Sequence, residues 1–173
     1  MGIVVKRVDS GVYSFAMASI DLSGLKPSSN ASVIAGLQKA VAQSFALTAL
    51  ASNAHTNVTG PDFFQLHEVF GGVYSRAFAS VDLLAERMRA LGSFVNMCMT
   101  EMDKVSGLPC LDAPFSAQEA VTTILRAQDI IIADLTALMN VADASGDEPT
   151  SNIIQDEVAA VQKSQWMLRS YLR

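Results

Sequence analysis

Apolar residues recur along most of this chain at steps of three and four, with no useful run of strand-like alternation, so the elements the pattern predicts are helices. The first runs from about Ser29 to Val58, with Ile34, Leu37, Val41 and Phe45 on one stripe; Gly60 and Pro61 stop it. The second opens at Asp62, where Gln65 three residues on resembles a capping box. It repeats Phe63, Leu66, Phe70, Val73, Ala77, Val81 and Leu84 until Leu91 and Gly92. A short apolar segment, 94 to 105, is expected to form a small extra helix ahead of the linker 107 to 114. Ser116 and Glu119 make a second capping-box pattern, heading a helix with Val121, Ile124, Ile131, Leu135 and Leu138 that ends near Ala144. Pro149 suits the first turn of the last helix, which carries Ile154, Val158, Val161, Leu168 and Leu172. Four long helices, with one short helix between the second and third, make an all-α four-helix bundle with a crossover. Residues 1–28 read as an N-terminal segment and 29–173 as one bundle domain.

Composition changes this picture in one respect. Only 17% of the residues are charged, against roughly 25% in an ordinary soluble domain, so self-association is expected to cover apolar surface. The longest uncharged stretch, Ala40 to Pro61, holds Gln43, Ser44, Thr48, Ser52, Asn53, His55 and Asn57, too many polar groups for a membrane span. The apolar stretch Gly11 to Ile20 is short and broken by Ser14 and Ser19, so no cleaved signal is expected. Cys98 and Cys110 fit neither a metal spacing nor a disulfide framework; the reading is two small apolar side chains in a reducing cytoplasm. Net charge is -5, and residues 1 to 28 carry Lys6, Arg7 and Lys26 against Asp9 and Asp21. Such a segment is no polybasic arm, and strong DNA binding is not expected.

Candidate chemistry rests on few residues. The only histidines, His55 and His67, lie six positions either side of Pro61. If the first two helices fold back as a hairpin, both rings sit at comparable heights above the turn; the bland alternative is two satisfied histidines near a loop. Asp82 and Glu86, at i and i+4, share a face of the second helix. His67 and Asp82 are fifteen residues apart on that helix, about 22 Å at 1.5 Å per residue, far beyond the roughly 2 Å of a metal-ligand bond. One chain therefore cannot close a site from all four. Two antiparallel copies of the second helix, related by a twofold axis, could set the histidine end of one against the acidic end of the other, and the same operation makes two equivalent sites. Imidazole with carboxylate suits iron in both oxidation states, and zinc would also bind. The in-bundle di-iron alternative needs Glu-x-x-His, and the positions three before the histidines are Ser52 and Phe64.

At this point the sequence resembles a known family. His55 to Gly60, His-Thr-Asn-Val-Thr-Gly, is similar to the His-Trp-Asn-Val-x-Gly of the Dps mini-ferritins. Phe63 to Phe70 is similar to their Phe-x-x-Leu-His-x-x-Phe, and Asp82 to Gly92 to their Asp-x-x-Ala-Glu-Arg-x-x-x-Leu-Gly. Gly146 to Thr150 and Trp166 to Tyr171 add further matches, so the resemblance spans about 35 to 173. It implies a ferritin-like four-helix bundle assembled as a hollow cytoplasmic dodecamer. It further implies a ferroxidase that oxidises Fe(II) with hydrogen peroxide or dioxygen, stores ferric mineral and protects against oxidative stress. His55 and His67 of one subunit, with Asp82 and Glu86 of its twofold partner, become the iron ligands. Glu68 becomes a candidate for mineral nucleation, and Asp147, Asn152 and Asp156 a threefold pore.

The departures carry equal interest. Thr56 stands where the family usually has Trp, Gly71 and Gly72 where it often has acids, and Asn152 where an acid is common, which thins the pore's negative charge. These motivate a rival reading, a Dps-like shell with weak or lost ferroxidase activity; a DNA-protecting shell is a second. Met97, Cys98, Met99 and Met102 read as an apolar patch at a subunit contact rather than a soft-metal site. Lys163, Arg169 and Arg173 suit the dipole of the last helix.

Overall fold

A computed structural model describes residues 31–173. The expected N-terminal segment, its charge balance and the first residues of helix one lie outside these described residues. Among them the regular structure is helical: α1 (Ala31–Asn57), α2 (Phe63–Ala90), α3 (Met99–Ser106), α4 (Ala117–Ala144) and α5 (Glu148–Tyr171).

The helix ends show which local signals act. Ser116 accepts from the backbone N–H of Glu119 at 3.1 Å while the Glu119 carboxylate accepts from the Ser116 N–H at 2.7 Å, a complete capping box. Asp147 caps α5 by accepting from the Thr150 N–H at 3.2 Å, with Pro149 in the first turn. Gly92 and Gly107 follow α2 and α3 in the left-handed region, at φ 84° and 63°. The capping box expected at Asp62 does not form. Its side chain makes no cap bond and instead accepts from the Tyr171 hydroxyl at 3.1 Å, so a contact across the bundle takes the carboxylate that local spacing assigned to the helix.

The α1–α2 turn makes one antiparallel hairpin and the α4–α5 turn another. Between them the crossover runs up α1: Gln38 bonds the Asn96 carbonyl, Gln43 the Ser106 carbonyl and Asn53 the Leu111 carbonyl, in ascending order along both segments. That climb returns the chain to the far end of α1, so α4 runs antiparallel to it, with Gly36 against Leu138 and Gln43 against Asp134. Leu37, Val41, Leu66, Phe70, Leu84, Val121, Ile124 and Ile154 are buried where the predicted stripes meet, each stabilising by about 1.5–3 kcal/mol on transfer from water. Leu172 lies past the end of α5 and is exposed. α1 alone among the described helices is long and apolar enough to cross a membrane, yet its buried stripe belongs to the common core. Both cysteines are free and exposed; Met97 and Met99 are exposed beside Cys98, and Met102 alone of that run is buried.

Candidate functional site

His55 sits in the last turn of α1 and His67 in the second turn of α2, so the hairpin brings both to the same level. Their rings stack at 3.6 Å between centroids and 25° between planes. Each Nδ1 lies against the other residue's backbone oxygen: His55 Nδ1 to the His67 carbonyl at 2.7 Å, and His67 Nδ1 to the His55 carbonyl at 3.0 Å. A carbonyl only accepts, so both Nδ1 atoms carry the proton and donate. In the neutral ring each Nε2 is then left with an unshared pair. This is the arrangement by which a backbone carbonyl sets tautomer and orientation in a metal-binding histidine. Tyr74 packs edge-on against His55 at 5.2 Å and Phe63 packs against His67 at 5.1 Å, holding the pair in place. Sequence reasoning took Phe63 only as part of the apolar stripe and passed over Tyr74, although their spacing from His67, four residues before and seven after, puts both on its helical face.

Gly71 borders the same pair. A Cβ built on it would lie 3.4 Å from Cε1 and Nδ1 of His55, so the position is in contact with the ring, and here it contributes no carboxylate. Gly72 faces open space, and Glu68 is exposed one residue after His67.

Asp82 and Glu86 lie exposed on α2, more than four turns from His67. Among the described residues no three His, Cys, Asp or Glu side chains come together within the chain as a metal site. The single buried carboxylate among them, Glu157, is consumed inside the bundle by Arg76 at 2.8 Å and Ser80 at 2.6 Å. The interior thus offers no in-bundle pair of acids.

Of the three residues expected at a pore, Asn152 and Asp156 are exposed on the first turns of α5. Asp147 is tied down, with Arg87 at 2.7 Å and the Thr150 hydroxyl at 2.6 Å. Burial opposes its charge, but the hydrogen bonds from Thr150 and the Arg87 guanidinium outweigh this and hold its carboxyl below the usual range.

Residues 34–173 match the ferritin-like domain family. The sequence is 32% identical over 143 residues to DNA protection during starvation protein 2 of Bacillus anthracis, covering 83% of this chain and 98% of the relative. The chain belongs to the Dps family of ferritin-like proteins. A second Dps relative, from Brevibacillus brevis, is 30% identical over 79% of this chain and 91% of its own. The crystal structure of a Dps protein from Bacillus brevis superposes with a TM-score of 0.79 at 30% identity, over 82% of this chain and 95% of that one. Dps from Staphylococcus aureus superposes equally well, with the same identity and coverage. The bundle with its extra helix is therefore the Dps fold, as the sequence pattern and the resemblance both implied.

Proposed function

We propose that this protein is a ferroxidase and iron store that works as a homo-oligomeric shell, a dodecamer by analogy with its family, in the cytoplasm. The observation that carries the reading is the reciprocal histidine pair. Two imidazoles are locked through Nδ1 by each other's backbone, so that in the neutral ring each Nε2 keeps its unshared pair, and among the described residues no third His, Cys, Asp or Glu joins them as a metal site. Such a half-site calls for carboxylates from outside the chain. Asp82 and Glu86 of a twofold-related subunit have the right chemistry: oxygen ligands accept Fe(III) as well as Fe(II), and imidazole nitrogen favours a transition metal. Zinc fits the same donors and is expected to compete.

A ring nitrogen's unshared pair lies in the plane of its ring. The two planes here are nearly parallel and 3.6 Å apart at their centroids, so the histidines serve neighbouring positions rather than converge on one ion. Sites with two metal ions about 3.5–4 Å apart are the precedent for such neighbouring positions. Two Fe(II) held so can each give one electron to a single hydrogen peroxide, whose O–O bond breaks to two hydroxides without releasing a hydroxyl radical. Dioxygen is the alternative oxidant. Glu68, exposed beside the pair, is the candidate for mineral nucleation, and Asn152 and Asp156 for the pore; Asp147, already neutralised by Arg87, adds little field there.

A second reading, a shell with weak or lost ferroxidase activity, is favoured by one observation: the position touching His55 is Gly71 rather than an acid. Oxidation of Fe(II) by the wild type, by His55→Ala and by Asp82→Ala, followed by ferric absorbance, separates the two. We expect each substitution to lower the initial rate at least tenfold; equal slow rates for all three would establish the second reading. DNA protection, the activity the relatives' names carry, ranks behind both because acidic residues outnumber basic ones by 17 to 12.

A further inference from the structure

Away from the histidines, the two hairpins meet closely along α1 and α4 but stand apart along α2 and α5. The gap is a half-open cleft of about 500 Å³, walled chiefly by apolar side chains, among them Leu47, Val73, Ile131 and Leu135. This volume lies within the 300–1,000 Å³ typical of small-molecule sites. Its charged groups balance: Arg76 is paired with Glu157, while Glu68 and Lys163 bring one charge of each sign. A net charge on an occupant would therefore gain nothing to offset its desolvation.

Ser164 supplies the cleft with a polar group on one wall. Ser164 Oγ, on the α5 wall, accepts from Gln128 Nε2 at 2.8 Å, and Gln128 is itself 1% exposed. That bond uses an oxygen lone pair and leaves the hydroxyl proton, which has no acceptor among the described residues, to be given to something in the cleft. We infer that this cleft binds a neutral, largely apolar small molecule carrying one hydrogen-bond acceptor, such as a ketone, with the acceptor on Ser164 Oγ. The site is distinct from the proposed ferroxidase ligands: His55, His67, Asp82 and Glu86 are not among its wall residues, whereas Glu68, the nucleation candidate, lies at its edge.

The probe is 6-acetyl-2-dimethylaminonaphthalene, a neutral ketone whose fluorescence shifts to the blue in apolar surroundings, titrated into the assembled wild-type protein. One saturable site per subunit is expected. Ser164→Ala should weaken binding roughly three- to tenfold, the loss of one neutral hydrogen bond. Ala160→Trp, which fills the cleft, should abolish binding, with Ala77→Phe as the second filling variant if that protein does not assemble. All variants should keep the wild-type rate of Fe(II) oxidation and the wild-type particle size. Absence of saturable binding, or binding that the filling variants leave unchanged, overturns the site. An affinity that Ser164→Ala leaves unchanged overturns the chemistry assigned to its occupant.

Discussion

Asp147 is the residue where local and long-range demands coincide. One carboxylate caps α5 through Thr150 and at the same time pairs with Arg87 of α2, so it ties the start of the last helix to the end of the second. Its pKa is held below the ordinary value in the folded chain. Stability from this group is accordingly complete above about pH 3.9, the unfolded value, and is lost as pH falls through the folded one. Asp147→Asn should therefore cost about 1–3 kcal/mol at pH 7, with the difference from wild type shrinking below about pH 4. Urea unfolding at pH 7 and pH 3.5 tests this, and an equal gap at both would refute it.

At the scale of elements, two glycines in helices play opposite parts. Gly36 lets α1 approach α4: a Cβ there would stand 2.6 Å from Cδ1 and 3.3 Å from Cγ of Leu138, a buried side chain that would have to shift. Gly36→Val should lower stability by about 1–3 kcal/mol through overpacking, read as a fall in Tm. Gly72 supports no such contact, because a Cβ on it meets nothing within 4 Å. Gly72→Ala should raise stability by about 0.5–1 kcal/mol, the helix-propensity difference alone. If thermal melts showed Gly72→Ala to be destabilising, that position would be packed against something the isolated subunit lacks.

For the whole molecule, the proposed site makes assembly part of the chemistry. Under that proposal a twofold pair shares two sites, each taking histidines from one subunit and acids from the other. When His55→Ala and Asp82→Ala subunits are mixed and reassembled, half the pairs at random are mixed, and each of those regains one intact site of its two. The mixture should recover about a quarter of the wild-type oxidation rate from two inactive parents. A site closed within one chain would recover none, so the rate of reassembled shells, checked by native mass, decides where the ligands come from. Exposed Phe64, Phe78 and Trp166 leave apolar surface for such contacts.

Periodicity in three and four was enough to read the helices, because each stripe is a local property of successive residues, and the Ser116 box and the Pro149 start followed from contacts within one turn. The meeting of His55 and His67 was legible too, because both lie six residues from Pro61 and a hairpin brings them to one level. What lay beyond the sequence was set by groups distant along the chain. Tyr171 diverts Asp62 from its cap, Arg87 claims the charge of Asp147, and the backbone of each histidine fixes the tautomer of the other. The order of residues determines which faces are apolar and which side chains can hold a metal. Only the packed bundle decides which polar groups find partners at 3 Å, and therefore which remain free to act.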